Sequence, residues 1–284
     1  MSTTTRREPL SNSSTLLQRH PVGLFLALTY VLAWAFWAPL VIFRDSLPGA
    51  LESILLMLGT LVPSTLAVVF VAKLHGRQGV RRLFGRLLKG RVGVRWYVAV
   101  IGLSLLAPVA LGLTILLGGS RPALDTTVVA VLIGFLFSIF PGSALGEELG
   151  WRGFVLPRLQ SRQSALRASL LIGVVWGPWH LPLWLTGRES HPISLFAAFV
   201  VSVICMSVLC TWMYNGTGGS LLIVVLFHAT ANLPVTYMIA PLGKDMAPSF
   251  LVFVALMVVA ATVVVLATGP AQLSRTRQKQ IELS

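Results

Sequence analysis

The chain has 284 residues, of which 55% are hydrophobic and 11% are charged. A soluble domain averages about 25% charged residues, so the composition excludes an ordinary soluble protein and predicts a polytopic membrane protein. No hydrophilic block is long enough to fold alone, which indicates one membrane domain over residues 21–269 between polar tails at 1–20 and 270–284.

A helix needs roughly 20 apolar residues to cross the hydrocarbon core of a bilayer. The sequence holds eight segments of about this length and predicts an all-α fold of about eight transmembrane helices. In chain order the segments are 22–43, 53–72, 96–117, 127–156, 169–185, 193–214, 221–240 and 249–268.

The basic residues are distributed unequally between the two predicted sides of the membrane. With eight spans both termini share a side, and 18 of the 22 Lys and Arg residues fall on that side. The other side has Arg44, Arg121, Arg188 and Lys244. Because Lys and Arg collect in cytoplasmic loops, both termini are predicted to be cytoplasmic. The net charge of +13 then faces anionic lipid, and nucleic acid is not needed as a partner.

The longest connection, residues 74–95, mixes apolar and basic residues at helical spacing. This pattern predicts an amphipathic helix in the cytoplasmic interface, although a solvated basic loop fits nearly as well.

The fourth segment contains Pro141 and then Gly142, Gly146 and Gly150 at intervals of four. Small residues at this spacing form a face that a neighbouring helix can approach closely. Pro141 is expected to kink the helix.

Two adjacent carboxylates, Glu147 and Glu148, follow on the same segment, with Arg152 four residues after the second. On a helix Glu148 and Arg152 share a face and can pair. Glu147 lies about 100° round the helix, so it is the freer carboxylate. A charged helix end at the membrane surface explains the same residues without any chemistry.

Two histidines lie inside the fifth and seventh segments. His180 shares a helix face with Trp176, and His228 shares one with Asn232. Pro178 and Pro182 are expected to open the backbone near His180. Counting from the predicted cytoplasmic ends, Glu147, His180 and His228 lie at similar depths of about 12 to 18 Å, at 1.5 Å per residue. Polar groups at one depth predict a shared polar cavity, open to the cytoplasmic side.

These side chains suit the hydrolysis of an amide by activated water. A carboxylate and an imidazole can deprotonate water, and an imidazole N–H with an asparagine amide can stabilise an oxyanion. The residues alone do not separate the roles of His180 and His228. Zinc bound by Glu147, His180 and His228 is the alternative, although the sequence has no His-Glu-x-x-His motif.

Three motifs in order resemble the CAAX protease and bacteriocin-processing family, which includes the type II CAAX prenyl endopeptidases. They are Glu147-Glu148-Leu149-Gly150-Trp151-Arg152, Trp176-Gly177-Pro178-Trp179-His180 and His228-Ala229-Thr230-Ala231-Asn232. The resemblance covers about residues 128–234. Phenylalanine is frequent in the family where Trp176 stands, and we expect the change to be conservative.

The resemblance implies an eight-helix intramembrane peptidase of the glutamic type that uses no metal cofactor. It implies that Glu147 and His180 activate the water and that His228 and Asn232 stabilise the oxyanion. Glu148 and Arg152 hold the architecture, with Trp176 beside them. The implied partner is a membrane-associated peptide or lipidated protein, and the implied location is the bacterial plasma membrane.

Two other functions fit the same motifs or residue types. Family members are also associated with non-proteolytic roles, such as bacteriocin immunity or scaffolding, so a membrane binding protein is one alternative. Buried Glu and His side chains also suit a proton-coupled transporter, but no internal repeat is evident.

Overall fold

The structure is a computed structural model that describes residues 16–43, 46–123, 127–140, 142–186 and 192–275. Most of both predicted tails lies outside these residues. Pro141, Arg44 and Arg188 lie outside them as well.

The described residues form helices and no strands, which confirms the all-α prediction. The α-helices are α1 (Leu16–Arg19), α2 (Pro21–Ile42), α3 (Gly49–Gly85), α4 (Val94–Ser104), α5 (Leu106–Leu116), α6 (Val128–Ile139), α7 (Ser143–Glu148), α8 (Leu156–Gln160), α9 (Ala165–Trp179), α10 (Leu181–Leu185), α11 (Phe196–Gly216), α12 (Leu221–Pro234) and α13 (Ala247–Thr268).

Within the described residues, seven helical stretches are long and apolar enough to cross a membrane. Six of them cover the first six predicted segments to within one residue, and the seventh, Leu221–Thr268, contains the last two. At about 1.5 Å per residue its 48 residues would extend about 72 Å, more than twice a hydrocarbon core. Gly243 has a φ of 56° and breaks this stretch between α12 and α13, at the boundary between the two predicted segments.

The helix α3 continues well beyond the predicted second span. It breaks at Gly76, where φ is 62°, and then continues to Gly85. In this last part Leu83 is buried, whereas Arg81 and Arg82 are exposed. The first half of the basic connection is therefore an amphipathic helix rather than a loop, and its position in the membrane interface stays a prediction.

The fourth predicted segment is interrupted beside Pro141, where the sequence predicts a kink. α6 ends at Ile139, Phe140 is extended with φ −152° and ψ 130°, and α7 begins at Ser143. A residue before proline is biased away from the helical region, which explains the break beside Pro141. A π-helix, Leu149–Val155, then connects α7 to α8.

The glycine spacing lets α3 lie directly against α7 and the π-helix. A Cβ added to Gly146 would lie 2.9 Å from the Thr60 carbonyl oxygen. A Cβ added to Gly150 would lie 2.7 Å from the Pro63 Cβ. These two contacts confirm the predicted close approach. Gly142 instead faces the Phe137 carbonyl in its own chain segment.

The connections predicted to share a side meet at one end of the bundle. Lys89 donates to the Gly218 carbonyl at 2.7 Å, and the Asn215 amide donates to the Gln272 carbonyl at 2.6 Å. The Ala165 N–H donates to the Ala271 carbonyl at 2.9 Å. The sequence places all these residues on the basic side, and which compartment that side faces stays a prediction.

Candidate active site

The two adjacent glutamates are the last residues of α7, immediately before the π-helix. Glu147 is 1% exposed, and Glu148 and Arg152 are fully buried. Because successive residues of a helix point about 100° apart, the two carboxylates contact different neighbours. The alternative explanation, a charged helix end at the membrane surface, does not fit groups that are this deeply buried.

Glu148 lies between a guanidinium and an imidazole. The Arg152 Nη1 donates to the Glu148 Oε1 at 3.0 Å and to its Oε2 at 3.1 Å, which confirms the predicted pair. The His228 Nδ1 lies 2.8 Å from the Glu148 Oε1. A carboxylate oxygen accepts, so the Nδ1 carries the hydrogen in this contact. Glu148 therefore fixes the orientations of both Arg152 and His228.

Trp176 contacts both Glu147 and His180. Its indole Nε1–H donates to the Glu147 Oε2, and its backbone carbonyl lies 2.9 Å from the His180 Nδ1. The carbonyl accepts, so the His180 Nδ1 carries a hydrogen and the Nε2 of the neutral ring is an acceptor. A phenyl ring has no N–H, so the expectation that a Trp-for-Phe change is conservative is wrong for this contact.

Glu147 and His180 face each other across a short gap. The His180 Nε2 lies 3.9 Å from the Glu147 Oε2, which is too long for a direct hydrogen bond. A water-sized group can contact both atoms at about 2.8 Å each. The His180 side chain is 16% exposed and that of Glu147 is 2% exposed, so the carboxylate is the more deeply buried of the two groups.

His180 lies at a break in the backbone, as the two prolines beside it predict. α9 ends at Trp179, His180 joins it to α10, and Pro182 lies in the first turn of α10. The carbonyl oxygen of Trp179 accepts from the Trp34 Nε1–H of α2 at 2.9 Å. The break turns the His180 ring toward Glu147, and the hydrogen bond from Trp34 of α2 holds the C-terminal end of α9 in place.

Asn232 joins the cluster indirectly. Its Nδ2 donates to the Ser143 Oγ at 3.2 Å. Ser143 is the first residue of α7 and lies four residues before Glu147 on the same helix face. The sequence prediction missed Ser143, although this four-residue spacing is a signal that could have identified it.

Six of the seven predicted residues form one connected group, and Asn232 adjoins it through Ser143. The Trp176 ring lies 4.6 Å from the Arg152 guanidinium carbon and 5.4 Å from the His228 ring. Among the described residues, no three His, Cys, Asp or Glu side chains are grouped closely enough to hold a metal ion. The zinc alternative thus gains no support from this geometry. The predicted polar cavity, open to the cytoplasm, stays a prediction.

Comparison with known proteins gives a match over the part of the chain that holds this group. Residues 124–234 match the sequence model of a family described as "Type II CAAX prenyl endopeptidase Rce1-like". The similarity is to the Rce1-like endopeptidases. The resemblance predicted from the three motifs is therefore confirmed, with nearly the same boundaries.

The Rce1-like match extends from the residues just before α6 to the end of α12 and contains every predicted site residue. A longer similarity is to CAAX prenyl protease 2 of Methanococcus maripaludis, which is 27% identical over 231 residues. That alignment covers 74% of this chain and 82% of the relative. Together with the apolar helices, these similarities support an integral membrane endopeptidase.

Proposed function

We propose that this protein is an intramembrane glutamic endopeptidase that cleaves its substrate with a water molecule activated by Glu147 and His180. The observation that carries the proposal is the arrangement around Trp176. One residue holds a buried carboxylate with its side chain and an imidazole with its backbone, so that the two face each other across 3.9 Å. The match to the Rce1-like endopeptidases supports it independently.

In this mechanism the substrate water occupies the gap between Glu147 and His180. Glu147 accepts one proton of the water, and the His180 Nε2 accepts a hydrogen bond from the other. The water oxygen forms a bond to the carbonyl carbon of the scissile peptide. Holding the water between two fixed acceptors supplies both orientation and general-base assistance.

The carbonyl oxygen becomes negatively charged when the tetrahedral intermediate forms. Asn232 can donate to it from its Nδ2, and His228 can donate from its Nε2. Because the Nδ1 of His228 already donates to Glu148, donation by the second nitrogen requires the imidazolium form.

The intermediate collapses when the carbon–nitrogen bond breaks. Glu147 returns its proton to the departing amine nitrogen, so the same carboxyl group serves first as base and then as acid. The products are a new carboxylate and a new amine terminus, and the enzyme regains its starting protonation state.

The substrate class follows from the similarities and from the membrane location. The relative is named for the cleavage of CAAX prenyl proteins, so we propose a membrane-associated protein carrying a lipid near the cleaved bond. A lipid anchor would remain in the bilayer while the peptide reaches His180. We further propose that cleavage takes place on the cytoplasmic side and that basic surfaces there contact anionic lipid.

A peptide panel tests this function. Purified protein in detergent would be incubated with a farnesylated CAAX peptide, the same peptide without the lipid, and an acylated peptide, each with and without a chelator. We expect chelator-insensitive cleavage, fastest for a lipidated peptide, with the site identified by mass spectrometry. Activity that chelation abolishes and zinc restores would replace this mechanism with the zinc alternative. Folded protein that cleaves none of the peptides would contradict the proposal and favour a non-proteolytic binding protein.

A further inference from the structure

The imidazole of His180 has one hydrogen bond that fixes its position within its own chain segment. Its Nδ1 donates to the Trp176 carbonyl at 2.9 Å, four residues earlier. The last side-chain torsion of histidine has only a broad preference, so this bond alone does not fix the opposite ring atom, Nε2. The Nε2 is the atom that lies 3.9 Å from the Glu147 Oε2. Its position therefore depends on what packs around the ring.

Two aromatic rings lie almost perpendicular to the His180 ring. The Trp179 centroid is 4.8 Å away with an interplanar angle of 79°, and the Phe199 centroid is 5.2 Å away with an angle of 81°. Aromatic rings favour this edge-to-face arrangement. Trp179 precedes His180 in the chain, whereas Phe199 belongs to α11. Phe199 is thus a contact through which a second helix restrains the imidazole.

Two glycines of α9 bring α11 close enough for this contact. A Cβ added to Gly173 would lie 2.6 Å from the Ile204 Cα, and a Cβ added to Gly177 would lie 3.0 Å from the Val200 Cγ1. Four residues forward along α9 correspond to four residues back along α11, so the two helices run antiparallel with matched turns. The end of α9 then lies beside the turn of α11 that precedes Val200, where the ring contact forms.

The Phe199 ring is held in turn by two other rings. The Trp184 centroid lies 5.1 Å from it, and the Phe196 ring stacks on it at 6.1 Å with an interplanar angle of 24°. Trp184 and Phe196 also contact each other at 5.4 Å. This aromatic cluster joins α10 to α11 and gives Phe199 a position that does not depend on His180. A ring held in this way can serve as a stop for the imidazole.

We propose that Phe199 is a positioning residue that keeps the His180 Nε2 facing Glu147. Phe199 has no polar side-chain atom, so it acts through His180 and not on the substrate water. The His180 side chain is 16% exposed, and loss of the Phe199 ring would leave it room to turn away from Glu147 on the side of α11. The effect of Phe199 on catalysis rests on the proposed function, whereas its effect on the orientation of His180 does not.

Steady-state kinetics with a lipidated peptide test this role in three variants. Phe199→Leu removes the ring, and Phe199→Tyr keeps it. Phe196→Leu is the matched control, because Phe196 is half-buried like Phe199 and belongs to the same aromatic cluster. We expect Phe199→Leu to lower kcat by about 2- to 10-fold with KM unchanged. Phe199→Tyr and Phe196→Leu should retain kcat near that of the wild type.

Three kinetic outcomes would overturn the proposal. An unchanged kcat in Phe199→Leu would show that the ring does not position His180. Equal losses of kcat in the two leucine variants, in proportion to their melting temperatures, would show that packing alone explains the effect. A raised KM with kcat unchanged would show that the Phe199 ring binds substrate instead.

Crystal structures of the wild type and Phe199→Leu test the orientation of His180 without any activity. We expect one orientation of the imidazole in the wild type, and a displaced or second orientation with a longer Nε2 to Glu147 distance in the variant. An imidazole that keeps its place in Phe199→Leu would overturn the proposal. A folded wild type that cleaves no peptide would contradict the proposed function, and this structural comparison would still decide the role of Phe199.

Discussion

Trp176 is the residue that connects Glu147 and His180, the two groups that are proposed to activate water. Its indole N–H donates to Glu147, and its carbonyl accepts from His180. The first contact depends on the side chain and the second only on the backbone. Replacing Trp176 with phenylalanine therefore removes the contact with Glu147 and keeps the backbone contact with His180, while a smaller ring remains beside Arg152 and His228.

We predict that Trp176→Phe lowers kcat by about 10- to 100-fold, because a hydrogen bond to a charged group contributes about 1.5–3 kcal/mol. The lost contact orients the carboxylate during the reaction, so KM should change little. Steady-state kinetics with a lipidated peptide would measure this effect. Trp212→Phe, in a half-buried tryptophan outside the site, is the matched control. Equal activity in both variants would show that the indole N–H does not position Glu147.

We make a different prediction for Glu148, because its contacts with Arg152 and His228 hold these side chains in place. Replacing it with methionine leaves the buried Arg152 guanidinium without its carboxylate, which should cost about 3–5 kcal/mol of folding free energy. The double variant Glu148→Met/Arg152→Met removes the unpaired charge and should regain much of that stability. Denaturant titration in detergent would measure both.

Activity should stay low in the double variant, because His228 still lacks its carboxylate partner. A double variant that is no more stable than Glu148→Met would contradict the pairing as the source of the stability. Full activity in the double variant would contradict the orienting role of Glu148 toward His228.

The sequence predicts local pairs at this scale better than distant ones. Glu148 and Arg152 are four apart, and helical geometry alone brings them together. Glu148 and His228 are 80 residues apart in the chain, and their contact depends on how α12 packs against α7. The motifs identified the residues of the site, but residue spacing could not show that His228 contacts Glu148 while His180 faces Glu147.

At the scale of helices, the approach of α3 to α7 and the π-helix positions the two glutamates. Gly146 and Gly150 allow the backbone of α3 to come close, and the Ser64 hydroxyl donates to the Leu145 carbonyl at 2.6 Å. The glutamates lie between these contacts along the chain. A small displacement of α3 would therefore move both carboxylates.

We predict that Gly150→Ala destabilises the protein by about 1–3 kcal/mol, because its Cβ has no space beside Pro63. Activity should fall as well, since the π-helix adjoins Glu148. Gly112→Ala is the matched control, because nothing lies within 4 Å of a Cβ added there. Melting temperatures in detergent and peptide cleavage would be compared. Equal melting temperatures for the two variants would contradict close packing at Gly150.

The helices were predictable from the sequence where the amino-acid composition of a segment determines its structure. Apolar length located the spans, and glycine spacing located the close-packed face. Pro141 predicted an interruption of the fourth segment, but no residue pattern specified the π-helix that follows α7. The break in α3 at Gly76 was also missed, since a glycine within a basic helical pattern is compatible with a continuous helix.

At the scale of the whole molecule, the basic connections meet the last described residues of the chain at one end of the bundle. Hydrogen bonds join Lys89 to Gly218 and Asn215 to Gln272 there. The charge count predicted that these parts share a side, because alternate connections of a multispan protein lie on the same face. The prediction that this end faces the cytoplasm depends on the positive-inside rule alone.

We predict that this end faces the cytoplasm. Cys205 and Cys210 are buried, so replacing both with alanine gives a background for single cysteines. In intact cells an impermeant maleimide should label Arg121→Cys and should label Arg81→Cys only after permeabilisation. Both positions are exposed, and one predicted span separates them. The reverse pattern would invert the orientation, and labelling of both from outside would contradict the helix count between them.

The measurement that tests the central claim most directly is cleavage of a lipidated peptide by Glu147→Gln beside the wild type. Glu52→Gln, which makes the same change in a carboxylate near the start of α3, is the matched control. Melting temperatures would first confirm that all three proteins are folded. We expect Glu147→Gln to lose activity by at least about 100-fold, as the loss of a general base does, and Glu52→Gln to match the wild type. Substantial cleavage by folded Glu147→Gln would contradict the assignment of this carboxylate as the base that activates water.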